Sequence, residues 1–180
     1  MKLLTKLRLD FNWHWHHFRN HTSMEEAERQ IPSATFRKLY KFAVIRNPWD
    51  KLVSSYHFKQ QRRGHEFTKR RVKRMSFSEF LRFAHATQQR KPLAYSQKRR
   101  ILLGSGELGT DMILRFEQLS RDWSELTGRL KLDAELPVTN ESTHRNYREF
   151  YSASDAEFVS ENWSDEIEAF GYHFDNGISD

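Results

Sequence analysis

The chain has 180 residues, of which 37% are hydrophobic, 14% aromatic and 30% charged, a size and composition typical of one globular domain with its own core. The absence of cysteine excludes disulfides, thiolate chemistry and cysteine-ligated metal. The formal net charge of +6 indicates an anionic partner, and nucleic acid, an acidic glycan or a polyanionic nucleotide would each satisfy that condition.

No apolar run in the sequence approaches the roughly 20 residues that a membrane span needs. Residues 1–9 carry three positive charges but have no continuous apolar core and no small-residue cleavage site, so we predict no signal peptide. We therefore expect a single domain over residues 1–180, located in the cytoplasm as the chain is written.

Residues 1–20 interleave aromatic residues with histidines and show neither a helical nor a strand period, which predicts an irregular segment. In a strand, His14 and His16 would share a face but His17 would not. Since no carboxylate supports these histidines, we predict no metal site there.

The clearest pattern of the chain lies between residues 40 and 58. Residues 41–45 form a short apolar run that predicts one buried strand. A helix should begin directly after it, because Asn47 is a good N-cap and Pro48 suits the first helical position. The helix should pack one apolar stripe on the sheet and turn a polar face away; the stripe is Trp49, Leu52, Val53 and Tyr56, and the polar residues are Asp50, Lys51 and Ser54.

Arg46 lies at the junction between this strand and this helix. Free backbone N–H groups at the helix start and the helix dipole favour negative charge, and a guanidinium can grip a phosphate with two parallel hydrogen bonds. Ser54 could add a hydroxyl donor from the polar face. The junction is therefore a candidate anion site; on the residues alone, an ordinary surface arginine and a small solvated serine remain the alternative.

Residues 59–74 form a basic surface segment, with eight Lys or Arg residues against one Glu. Like charges at this density repel one another, which favours a solvated loop or helix face. The segment could attract a sulfated or uronic acid-containing acceptor. A nucleic-acid interface is less favoured, because only Phe67 offers a stacking ring here.

The rest of the chain alternates predicted helices with one further strand, at residues 111–116. Ser76 and Glu79 have the spacing of a capping box, and Gly171 suits the end of the last helix. The further helices are predicted over residues 22–31 and 76–87, from Ser120, and from Ser152 to Phe170, with a polar loop over residues 137–148.

Four segments, in this order, resemble sulfotransferases that use 3′-phosphoadenosine-5′-phosphosulfate, and most closely the branch that includes carbohydrate sulfotransferases. The first has the pattern RNPxxxxxSxY, from Arg46 to Tyr56, behind an apolar strand. The others are the helix opener at residues 77–80, the strand end at residues 114–119 and the closing segment at residues 167–174. The resemblance covers roughly His21 to Phe174.

The resemblance implies roles for five residues. In the resembled family the arginine and the serine eight residues later hold the 3′-phosphate of the nucleotide, which implies these roles for Arg46 and Ser54, with Asn47 supporting the turn. Arg145, in the polar loop, is implied as a second phosphate contact. His21 is implied as the base that takes the proton of the acceptor hydroxyl; an exposed arginine and a helix-flanking histidine without these roles are the alternatives.

The resembled family also uses a glycine-containing loop of the PKxGxTS kind, whose backbone amides and lysine cradle the 5′-phosphosulfate. Here the first glycine of the chain is Gly64, so no residues before Arg46 match that loop. We therefore expect either an N-terminally truncated member of the family or a degenerate one.

Together these patterns predict an α/β fold in which a short parallel sheet is flanked by helices, resembling the P-loop-NTPase-like sulfotransferase core but N-terminally incomplete. The resemblance implies transfer of a sulfuryl group from 3′-phosphoadenosine-5′-phosphosulfate, as co-substrate and without a metal, to a hydroxyl or amine of an anionic carbohydrate acceptor. The alternatives are a catalytically silent relative that binds the nucleotide or a glycan, and a nucleic-acid-binding module built on the basic surface segment.

Overall fold

The computed structural model describes residues 22–61, 66–136, 146–175 and 177–178. Two parallel strands form its sheet, and helices flank them on both sides, which confirms the predicted α/β class. The strands are β1 (Phe42–Ile45) and β2 (Met112–Arg115), followed by a small antiparallel hairpin of β3 (Tyr172–His173) and β4 (Gly177–Ile178). The helices are α1 (Met24–Gln30), α2 (Ser33–Phe36), α3 (Pro48–Gln61), α4 (Glu66–Lys73), α5 (Phe77–Arg90), α6 (Leu119–Leu130), α7 (Ala153–Asn162) and α8 (Ser164–Phe170).

Both predicted strands are present, but the prediction that β1 is a buried strand is wrong. Ile45 is 1% exposed, whereas Phe42 and Val44 are 41% and 46% exposed. Alternate side chains of a strand point to opposite faces, so Phe42 and Val44 share the face on which Leu114 of β2 lies. Helix α6 packs on that face over β2, where Leu114 is fully buried, but it covers the two β1 side chains only in part, although Trp123 of α6 contacts the ring of Phe42 edge-on.

The core lies between the other face of the sheet and the helices α3, α5 and α7. The predicted stripe of α3 is confirmed, because Trp49, Leu52 and Val53 are at most 2% exposed. This stripe meets the buried residues Phe80, Leu81 and Ala84 of α5 and Val159 of α7. Burial of these large apolar side chains fixes the direction of α3, and with it the direction of the junction that precedes the helix.

The basic surface segment is helical in its described part, which is one of the two forms predicted for it. Its first residues continue α3 and its last ones form α4. Val72 anchors α4 because its side chain is fully buried, while the guanidinium of Arg71 lies 4.8 Å from the ring centre of Phe83. The cationic residues of α4 thus flank one buried apolar side chain, Val72.

The predicted helix ends are also found. The capping box of Ser76 and Glu79 is complete at the start of α5, and Ser152 caps α7 by accepting the backbone N–H of Asp155. Helix α8 ends at Gly171, whose φ of 61° is the left-handed conformation that glycine adopts most readily. No helix in the described part of the chain has both the length and the apolar character that a membrane crossing requires.

Candidate functional site

Arg46 lies between the end of β1 and the start of α3, and its side chain runs along one face of that helix. Asp50 and Ser54 are four residues apart within α3 and so share one face of that helix. Arg46 Nε donates to Asp50 Oδ2 at 2.6 Å, and the two side chains are only 16% and 15% exposed. The ring of Phe116, itself 45% exposed, lies 4.3 Å from the guanidinium carbon. The guanidinium is therefore oriented by a carboxylate along one edge and by a ring on one face.

The backbone N–H groups of the junction already have acceptors within the protein, so the prediction that they are free is wrong. Asn47 Oδ1 accepts the N–H groups of Trp49 and Asp50 at 3.0 and 3.4 Å, as expected of an N-cap. The N–H of Asn47 donates to Glu117 Oε1 at 2.6 Å, and the N–H of Arg46 donates to Gln97 Oε1 at 2.9 Å. The side chains of the junction, rather than its backbone amides, would therefore have to bind any anion there.

The strand end at residues 114–119 and the closing segment at residues 167–174 both contact Asn47, which is 1% exposed. Asn47 Nδ2 lies 3.5 Å from the hydroxyl of Tyr147 and 3.4 Å from the carbonyl oxygen of His173. Tyr147 in turn donates its hydroxyl to the carbonyl of Phe174 at 2.6 Å. The closing segment of the chain therefore locks the strand-to-helix junction in place.

Glu117 and Arg115, at the end of β2, hold this closing segment against the sheet. Glu117 Oε2 accepts the hydroxyl of Tyr172 at 3.1 Å, and Arg115 Nη2 donates to the carbonyl of Phe170 at 2.8 Å. Burial raises the pKa of Tyr172, and the nearby carboxylate of Glu117 adds to the effect. These contacts connect parts of the fold to one another, so we assign both residues a structural role.

The prediction that Lys51 points away from the core is wrong. Its Nζ contacts the carbonyl oxygen of Tyr95 and lies 3.3 Å from Glu166 Oε1. The side chain of Glu166 has no exposed surface. Burial lowers the pKa of Lys51, while the attraction of Glu166 opposes that shift. A buried carboxylate needs a compensating cation, and this need turns Lys51 inward.

Sequence reasoning missed the part that Gln97 has at the junction. Its side-chain amide bonds to both the N–H and the carbonyl of Arg46, and it also donates to Glu166. Gln97 lies in a polar and basic stretch without a periodic pattern, so no sequence signal pointed to these contacts.

Two of the predicted site residues, His21 and Arg145, lie outside the described residues. Among the predicted residues that the structure does describe, Arg46 and Asn47 lie at the junction and Ser54 lies within α3. An open cavity of about 440 Å³, lined by residues 116–121, adjoins the ring of Phe116. Within the described ranges, His, Asp and Glu side chains form no cluster that could hold a metal ion.

Comparison with known proteins supplies the family. A model described as "Sulfotransferase family" matches residues 6–173 of this chain. Searches of curated proteins and of solved structures gave no match. The matched range contains the junction at Arg46, the strand end at Glu117 and most of the closing segment that packs against both. Because the match extends over most of its length, this chain belongs to the sulfotransferase family.

Proposed function

We propose that this protein transfers a sulfuryl group from 3′-phosphoadenosine-5′-phosphosulfate to a hydroxyl or amine of a carbohydrate acceptor. One observation carries the proposal: Arg46 lies between a parallel strand and α3, and Ser54 follows eight residues later within α3, in a chain that belongs to the sulfotransferase family. We expect the guanidinium of Arg46 and the hydroxyl of Ser54 to contact the same group of the ligand.

The chemistry of these side chains fits the 3′-phosphate of the nucleotide. A guanidinium binds phosphate as a planar fork, and a serine hydroxyl adds one further donor. Asp50 accepts the Nε N–H of Arg46 at 2.6 Å, which holds the guanidinium beside the start of α3. The backbone amides at the start of α3 are not part of this site, because their N–H groups already donate hydrogen bonds to the side chains of Asn47, Gln97 and Glu117.

The bound nucleotide would supply an activated sulfuryl group. For the acceptor, His21 stays a predicted base that would take the proton as the acceptor oxygen bonds to sulfur. Arg145 stays a predicted second contact to phosphate. The bond between sulfur and the bridging phosphate oxygen would break in line, and positioning with charge neutralisation would supply most of the rate enhancement.

An anionic carbohydrate is the acceptor that the charge distribution favours. The chain has a net charge of +6, and eight cationic residues fall within residues 59–74. In the described part of this segment, Lys59 and Arg71 lie over the rings of Tyr95 and Phe83 at 5.4 and 4.8 Å. Sulfate and carboxylate groups of a glycan would be attracted to this surface, with a strength that falls as salt rises.

Two measurements together test the proposal. Calorimetry should show that adenosine 3′,5′-bisphosphate binds more tightly than adenosine 5′-phosphate, because only the former carries the group that Arg46 and Ser54 would hold. A transfer assay with radiolabelled donor should then show label on a carbohydrate acceptor. Binding without transfer to any acceptor would favour the catalytically silent alternative, and equal binding of the two nucleotides would contradict the proposed site.

A further inference from the structure

Gln97 lies between α5 and the short 3-10 helix Lys98–Arg100, and its side chain contacts the backbone of Arg46 twice. Gln97 Oε1 accepts the N–H of Arg46 at 2.9 Å, and Gln97 Nε2 donates to the carbonyl of Arg46 at 2.8 Å. Both backbone polar groups of Arg46 therefore bond to one side chain that lies 51 residues away in sequence. The backbone direction at Arg46, and with it the direction of the guanidinium, depends on where this amide is held.

Glu166 holds the amide of Gln97 from inside the protein. Gln97 Nε2 donates to Glu166 Oε1 at 2.6 Å, and the backbone N–H of Gln97 donates to Glu166 Oε2 at 2.7 Å. Because a carboxylate only accepts hydrogen bonds, Glu166 determines which end of the amide carries the hydrogens. Glu166 has no exposed surface, and Lys51 supplies the compensating charge. The amide is thus fixed in one position and one orientation.

We propose that Gln97 is a positioning residue for the 3′-phosphate of the nucleotide, acting through Arg46 and held in place by Glu166; this inference rests on the proposed function. A guanidinium that has to meet a phosphate with two parallel hydrogen bonds tolerates little error in direction. Asp50 fixes the Nε edge of that guanidinium and Phe116 covers one face of it. Gln97 adds the constraint on the backbone, and it connects the site to the buried interior.

The test is the preference for the 3′-phosphate, measured as the dissociation constant of adenosine 5′-phosphate divided by that of adenosine 3′,5′-bisphosphate. We expect a preference well above one in the unchanged protein and close to one in Arg46→Ala. In Gln97→Met, which keeps the volume but loses every hydrogen bond of the amide, the preference should fall about fivefold to tenfold, the scale of one ordinary hydrogen bond. The fall should come from weaker binding of the bisphosphate, with the affinity for adenosine 5′-phosphate unchanged.

Gln88→Ala is the matched control, because Gln88 Oε1 also makes a long-range hydrogen bond, accepting the indole N–H of Trp163 at 3.0 Å. This control should keep the preference even if its stability falls. Gln97→Asn is the second variant, since it keeps an amide but is too short to reach both groups of Arg46, and it should show the same loss as Gln97→Met.

The possible results separate the two proposals. If the unchanged protein has no preference for the 3′-phosphate, the proposed function fails, and this inference fails with it. If Arg46→Ala removes the preference while both Gln97 variants keep it, the inference alone is overturned. An equal loss in Gln88→Ala and in the Gln97 variants would also overturn it, because the effect would then reflect general destabilisation.

Discussion

Replacing Arg46 with alanine tests the proposed nucleotide site most directly. From the contacts of Arg46 in the structure, we expect this change to have two effects. It removes the guanidinium proposed to bind phosphate, and it leaves Asp50 without the partner that now lies 2.6 Å away. Asp50 is only 15% exposed, so solvent compensates it incompletely. The effect on binding has to be separated from the effect on stability.

The expected sizes follow from these contacts. A hydrogen bond to a charged group contributes about 1.5–3 kcal/mol, so the dissociation constant of adenosine 3′,5′-bisphosphate should rise roughly 10-fold to 150-fold in Arg46→Ala. Loss of a hydrogen-bonded partner for a largely buried carboxylate should lower the free energy of unfolding by about 1–3 kcal/mol. The second effect would reduce the folded fraction but would not change the preference for the 3′-phosphate.

The double variant Arg46→Ala/Asp50→Ala distinguishes these effects. Because the carboxylate is removed as well, the double variant should recover part of the stability lost in Arg46→Ala. Its affinity for the bisphosphate should equal that of Arg46→Ala, since both positions act through one guanidinium and their effects on binding are not additive. Calorimetry and urea unfolding of both variants supply the data. If the dissociation constant of Arg46→Ala for the bisphosphate lies within about twofold of that of the unchanged protein, the proposed site is refuted, because RT ln 2 is only about 0.4 kcal/mol.

Three further variants test other parts of the structure. Ser54→Ala should weaken bisphosphate binding about threefold to tenfold without lowering the melting temperature, because it removes one neutral donor from a half-buried position. In Asp155, burial alone would raise the pKa, but hydrogen bonds from Ser78 and Ser152, with help from Arg82, outweigh it and hold the pKa below its usual value. The stabilisation from ionised Asp155 is thus complete above the unfolded-state pKa of about 4 and is lost as pH falls through the lower folded-state pKa. Asp155→Asn should therefore lower the free energy of unfolding by about 1 kcal/mol near pH 7. Urea unfolding should show that the difference in this free energy between the variant and the unchanged protein narrows below pH 4. Gly171→Ala should cost about 1 kcal/mol by the same assay, because φ at this position is 61°.

The local features of the fold were predictable because each one is encoded within a few residues. The stripe of α3 follows from helical spacing, and the start of α3 follows from an N-cap before a proline. The capping box of α5 and the glycine after α8 are signals of the same kind. The positions of Arg46 and Asn47 directly before α3, and of Ser54 within it, could be predicted for the same reason.

The contacts that decide what the junction can bind were not predictable, because they join residues far apart in sequence. Asn47 and Glu117 are separated by 70 residues, and Lys51 and Glu166 by 115. A sequence pattern marks Glu117 and Lys51 as polar, but it does not show which backbone amide or buried carboxylate each will meet. The exposure of Phe42 and Val44 has the same origin, since it depends on where α6 packs.

Glu117 supplies a final prediction, because its carboxylate accepts the N–H of Asn47 directly before α3. In Glu117→Ala the N–H of Asn47 and the hydroxyl of Tyr172, both in residues only 1% exposed, lose their acceptor, which should cost about 1–3 kcal/mol. The vacated position lies at a helix N-terminus next to Arg46 in sequence, and so it should attract sulfate.

Sulfate stabilises most proteins to some extent. The quantity to compare is therefore the gain in the free energy of unfolding in sulfate over that in sodium chloride at equal ionic strength. We expect a larger gain in Glu117→Ala than in the unchanged protein, and a larger gain than in Glu79→Ala, where the lost carboxylate belongs to the capping box of α5 rather than to the junction at Arg46. Equal gains in all three proteins would show that the junction has no capacity to hold an anion beside Arg46.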